Sequence, residues 1–112
     1  MSLVEAYQLA DKLLQEHGLT EAGWVFRFDN ATSRLGVTRY RQKKITLSRW
    51  MVEHADEELV QQVLLHEIAH ALLPVTVKPH GAEWKKKAAE IGYKGGRLAV
   101  NPYQVAKAQS RR

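Results

Sequence analysis

The sequence predicts an α+β domain, and three observations carry that prediction. An amphipathic helical stretch opens the chain, three short runs of period-two alternation follow between residues 24 and 47, and helical spacing returns from residue 48 onward. With 112 residues the chain can bury one modest core, so a single domain over 1–112 is expected and a two-domain enzyme is excluded.

Leu3 to His17 places Val4, Tyr7, Ala10, Leu13 and Leu14 at helical spacing, with Ser2 as the cap and Gly18 as the stop. Trp24, Phe26 and Phe28 then alternate with Val25, Arg27 and Asp29, which reads as a half-buried strand punctuated by Asp29-Asn30 and Ser33. Leu35 and Val37 alternate with Arg34, Gly36 and Thr38. After Tyr40-Arg41-Gln42-Lys43 comes a third run, Lys44-Ile45-Thr46-Leu47. The simplest arrangement of the three is an antiparallel meander.

Ser48 can cap a short helical turn holding Trp50, Met51 and Val52, and Asp56-Glu57-Glu58 opens a longer helix with acidic residues at its positive end. Along that helix Leu59, Val63, Leu64, Ile68, Ala71 and Leu72 are spaced to pack inward, and Gln61 and Gln62 to face water. Pro74 fits its end. A loop from Val75 to Pro79 leads through His80-Gly81 to a further helix, with Trp84, Ala88 and Ile91 on one face, Lys85 to Lys87 largely elsewhere and Gly92 closing it. Asn101-Pro102 reads as the cap and first residue of a last short helix, followed by a fraying Ser-Arg-Arg end.

The 45% hydrophobic and 26% charged residues are those of an ordinary globule. No apolar run approaches membrane-spanning length, so no membrane partner is expected. Glu5 and Asp11 stand where a secretory signal would be basic and apolar, which makes the cytoplasm the expected compartment. Cysteine is absent, so any metal must be held by nitrogen and oxygen, and the histidines become the ligand pool.

His66-Glu67-Ile68-Ala69-His70 lies within the long helical stretch, so His66 and His70 stand about one turn apart on one face. Paired imidazoles at this spacing can hold a zinc ion, and Glu67 is placed to handle the proton of a metal-bound water. His80 is the favoured third ligand, because the nine residues between it and His70 reach up to roughly 30 Å when extended and can fold back. Three nitrogens leave a coordination position open, as a catalytic zinc requires. Glu83 and Glu90 are the rival third ligands. Each has a bland alternative: Glu83 in the first turn of its helix and four residues before Lys87, Glu90 paired with Lys86. His17 and His54 lack any partner spacing and are expected at the surface. A metzincin would need a glycine at 73 and a histidine at 76, where Leu73 and Thr76 stand, so that subclass is excluded.

With Gly23-Trp24-Val25-Phe26-Arg27-Phe28, Arg34-Leu35-Gly36, Ile45-Thr46-Leu47-Ser48-Arg49, His66 through Leu72 and His80-Gly81-Ala82-Glu83-Trp84 in this order, the chain resembles the SprT-like family of zinc metallopeptidases and its Spartan-related members. The resemblance spans Trp24 to Tyr93. It implies a small zincin-like domain in which His66, His70 and His80 bind zinc and Glu67 is the catalytic base for peptide-bond hydrolysis. For Spartan-like members it also implies the removal of proteins crosslinked to DNA. Two departures stand out: Gly95 to Arg112 lacks the cysteines of the zinc ribbon that many relatives carry, so that nucleic-acid module is not expected here, and Ala82 replaces a common proline.

Seventeen Lys plus Arg against twelve Asp plus Glu give a net charge of +5. The corresponding pI is about 9.6, which favours acidic partners such as nucleic acid. Arg34, Arg39, Arg41, Lys43, Lys44 and Arg49, with Tyr40 and Trp50 near them, form one basic group; Lys85 to Lys87, Lys94 and Arg97 form another. Asp56, Glu57, Glu83 and Glu90 are candidates for orienting the histidines, and Tyr40, Tyr93, Tyr103 and Arg97 for an oxyanion donor. The expected activity is that of a zinc endopeptidase acting on a protein or peptide, with DNA-associated proteins as one class. The alternatives are a non-catalytic zinc-stabilised nucleic-acid-binding module and a basic DNA-binding protein with incidental histidines.

Overall fold

The computed structural model describes residues 1–95. Helix α1, Leu3–Glu16, begins with a reciprocal cap: the Ser2 hydroxyl accepts from the Glu5 amide at 3.1 Å and the Glu5 carboxylate from the Ser2 amide at 3.3 Å. Its buried stripe is Ala6, Ala10, Leu13 and Leu14. Val4 and Tyr7, which share the helical spacing, are exposed, since the buried stripe runs through Ala6 and Ala10 instead. Tyr7 rests edge-on against Phe26, with ring centroids 6.0 Å apart.

Strands β1 (Val25–Asp29), β2 (Gly36–Arg39) and β3 (Lys44–Ser48) form one sheet. The expected antiparallel meander is corrected: the order is β1-β3-β2, with β1 parallel and β2 antiparallel to β3, so the sheet is mixed. Six residues, Asn30 to Leu35, carry the chain past the end of β3, far enough to skip one strand at about 4.8 Å spacing. Ser48 fastens that crossing. Its amide donates to the Leu35 carbonyl at 2.8 Å and its hydroxyl to the Ala31 carbonyl at 2.7 Å. Asp29 adds to it by accepting from the Ala31 amide and the Thr46 hydroxyl.

Ser48 also caps α2, Arg49–His54, and Asp56 caps α3, Glu57–Ala71, by accepting from the Leu59 amide at 2.9 Å. Helix α3 packs on β2, β3 and α1, so Val60, Val63, Leu64 and Ile68 join Phe26, Ile45, Leu47 and Leu14 in the main core. Leu59, Ala71 and Leu72 are only half-buried, while Val60 and Leu65, not expected inward, are buried. Gln62 is a further correction. It is buried rather than wet, because its amide accepts from the Lys94 amide at 2.8 Å and donates to the Gly92 carbonyl at 3.4 Å, satisfying its polar atoms away from water. Helix α4, Ala82–Glu90, rests on α3 through a small separate cluster of Ala69, Trp84 and Ala88. The predicted helix from Asn101-Pro102 and the Ser-Arg-Arg end lie outside the described residues. Among the described residues no helix is long and apolar enough to cross a membrane.

Candidate metal centre

His66 and His70 project from the last two turns of α3, toward the end where α4 packs. After Leu72 the chain makes two consecutive turns, one closed by the Val77 amide on the Pro74 carbonyl at 3.0 Å and one by the Gly81 amide on the Lys78 carbonyl at 3.1 Å. These bring His80 back over α3. Its backbone sits at φ +60°, a left-handed conformation that most side chains avoid and histidine tolerates better than bulkier residues.

The Nε2 atoms of all three rings converge. His80 Nε2 lies 3.0 Å from that of His66 and 3.2 Å from that of His70. Among the described residues these three histidines are the group of potential ligands close enough to share a metal ion. Three lone pairs aimed at one another repel unless a proton or a cation lies between them. A tetrahedral ion at the usual zinc–imidazole distance would hold the nitrogens about 3.3 Å apart, close to the separations of His80 from His66 and from His70. Burial is the main cause that lowers both His66 and His70 to a pKa of about 4, with the neighbouring histidines adding to it. Both imidazoles are therefore neutral above pH 5, the form that binds metal.

Glu67 is 8% exposed. Burial raises its pKa to about 7, and the Thr38 hydroxyl opposes that rise with a 2.9 Å bond to Oε1. Tyr40 and Tyr93 both lie within the electrostatic reach of this carboxylate: burial, then the charge of Glu67, raises each phenol. Tyr93 also sets its ring 5.5 Å from that of His66, and Tyr40 lines a recess with His70 and Trp84. The other two oxyanion candidates, Tyr103 and Arg97, lie outside the described residues.

The rival ligands stay apart from the triad. Glu83 is exposed in the first turn of α4, and Glu90 pairs at 3.1 Å with Lys87 rather than with Lys86. Asp56 and Glu57 begin α3, about 15 Å along the axis from His66. No carboxylate among the described residues reaches the histidines, and the buried Nδ1 of His66 has no hydrogen-bond partner. Aromatic contact orients the rings instead. Trp84 touches all three, with centroids 4.8 Å from His66, 4.8 Å from His80 and 5.2 Å from His70, the last nearly stacked. Helical periodicity identified Trp84 as a core residue without revealing that the core at this point is the floor of the triad. Of the surface histidines, His54 is exposed and its Nδ1 contacts the Trp50 carbonyl, while His17 ends α1 half-buried.

The profile of the SprT-like family matches residues 3–104, nearly the whole chain. This chain belongs to the SprT-like family. Within that family it is similar to Protein SprT of Glaesserella parasuis serovar 5 (strain SH0165), with 36% identity over 61 residues that make up 52% of this chain and 39% of that protein. The SprT-like chain thus spans well under two thirds of the length of the curated relative it matches. No solved structure matches it significantly.

Proposed function

We propose that this SprT-like chain is a zinc-dependent peptidase in which His66, His70 and His80 hold the metal and Glu67 serves as general base and acid. The observation that supports it most is the convergence of the His66 and His70 Nε2 atoms to within 3.2 Å of His80 Nε2, beside a buried carboxylate on the helix that carries the first two. A bound zinc ion would supply a Lewis acid for the scissile carbonyl and lower the pKa of water. Glu67 takes the proton of the attacking water and returns it to the departing amine. A bound cation beside Glu67 would favour its ionised form, the form that can accept the proton of water.

The test measures bound zinc by mass spectrometry and hydrolysis of dye-labelled casein. Glu67→Gln should keep one zinc per chain and lose at least about 100-fold in turnover, as expected for removal of a general base. His66→Ala, His70→Ala and His80→Ala should each lose metal and activity together. Undiminished hydrolysis by Glu67→Gln would overturn the proposal.

DNA is the proposed site of action. Arg34 pairs with Asp29 at 3.6 Å, Lys43 bonds the Ala22 carbonyl, Lys87 pairs with Glu90 and Lys94 with Glu58. Arg39 and Arg41 are exposed on the β2–β3 hairpin and make no ion pair among the described residues, while Arg49 lies over the exposed Trp50 ring at 4.5 Å. Such a surface favours the second reading too, a zinc-stabilised nucleic-acid-binding module. Binding of single-stranded DNA should weaken steeply with salt, and a flat response would remove DNA from both readings. The Glu67→Gln measurement separates peptidase from module.

A further inference from the structure

We propose that strand β2 positions the base: Thr38 holds the Glu67 carboxylate, and Gly36 leaves the space in which the Glu67 side chain lies. The inference rests on the peptidase reading for its role in catalysis and on the contacts alone for its role in orientation. Gly36 and Thr38 are two residues apart on one strand and share a face, and that face meets α3. The Thr38 hydroxyl lies 2.9 Å from Glu67 Oε1 and 2.9 Å from the Glu67 main-chain carbonyl, so its single hydrogen has both acceptors of one residue within reach. At Gly36 a Cβ atom would stand 2.8 Å from Leu47 Cδ2, 3.1 Å from the Thr46 carbonyl and 3.3 Å from Glu67 Cγ. The first two contacts come from β3 and the third from Glu67 itself, so an added carbon would crowd the Glu67 side chain from the sheet side.

A hydroxyl is a fitting partner for a group that changes charge during turnover, because it donates to a carboxylate and accepts from a carboxylic acid. With the carbonyl as a second acceptor, Thr38 keeps a bond in either state. A purely donating side chain would hold only the ionised form, and a methyl group neither. Thr38 acts through Glu67 and is a positioning residue.

The experiment compares Thr38→Val, which keeps shape and removes the hydroxyl, with Thr38→Ser, which keeps the hydroxyl, in the full chain. With dye-labelled casein, Thr38→Val should lower kcat by on the order of 10- to 100-fold with KM and zinc content unchanged, and Thr38→Ser should restore it. In metal-free protein the Glu67 carboxyl carbon resonance, assigned by its loss in Glu67→Gln, should move in Thr38→Val and return in Thr38→Ser. Should valine disturb the fold, Thr38→Cys preserves the volume with a far weaker donor and is expected to move the resonance the same way. An unmoved resonance together with unchanged kcat overturns the proposal. Wild-type protein that fails to cleave overturns the peptidase reading alone, and the resonance then still decides whether Thr38 orients Glu67.

Discussion

Glu67 and the two α3 histidines are displaced from their ordinary pKa values in opposite senses, and the pH dependence of the metal-free protein follows. Burial raises Glu67 from 4.5 to about 7, so the folded state holds a proton there that the unfolded state releases. Its contribution to stability is fully present below pH 4.5 and is lost as pH rises through 7. His66 and His70 are lowered from 6.5 to about 4, so their contribution is present above pH 6.5 and is lost as pH falls through 4. In urea unfolding of chelator-treated protein, Glu67→Gln should therefore exceed wild type at pH 8 by roughly 3 kcal/mol, with the gap closing near pH 4. A gap of the same size at both pH values would show that the carboxylate is not held in a poorly solvated site. Added zinc should narrow the difference at pH 8, since a neighbouring cation favours the ionised carboxylate.

At the scale of elements, Trp84 links α4 to the histidine triad and Gly36 brings β2 against Glu67. Trp84→Ala removes the common floor of three imidazoles, and should weaken zinc binding about 10- to 100-fold, as loss of orienting groups around a metal does. Trp84→Phe keeps a flat ring and should retain most of the affinity, which competition with a chromogenic chelator would measure. Gly36→Ala should lower the Tm of the metal-free protein, because the added carbon would stand 2.8 Å from Leu47 Cδ2 and 3.1 Å from the Thr46 carbonyl, and the second of these is main chain that cannot step aside. The sheet also shows where sequence reasoning stops. Alternation at Trp24, Phe26 and Phe28 reports which face is buried, and it does so for any neighbour, so it could not show that β3 runs between β1 and β2. The His66, Glu67 and His70 arrangement was legible because helical spacing alone sets it, and His80 because chain reach permits it. Thr38 was not, since a polar residue alternating in an edge strand looks the same whether it faces water or a carboxylate. Gln62 failed for a similar reason: its partners are main-chain groups of Gly92 and Lys94, thirty residues away.

For the molecule as a whole, the hydrophobic core divides unevenly, and the division would give a structural task to a metal held by the triad. The large cluster joins α1, the sheet, α2 and most of α3, whereas only Ala69, Trp84 and Ala88 are buried in the cluster that seats α4. Two of those three are alanines, and the partly buried Leu73, Ile91 and Tyr93 pack around them, a smaller core than the one that joins the rest. His80 lies just before the Gly81 cap of α4 and meets histidines of α3, so a metal shared by the three would fasten the two helices across the loop between them. Binding to the folded state alone stabilises by mass action, by about 4 kcal/mol at a free zinc concentration 1,000 times Kd. Chelation should then lower Tm and raise amide hydrogen exchange in residues 78–93 first, while α1 and the sheet keep their protection until global unfolding. Hydrogen exchange read by mass spectrometry before and after chelation checks this. Equal loss of protection in α1 and α4 would mean that the domain opens as one unit and that the metal supports the whole core rather than the α3–α4 seam.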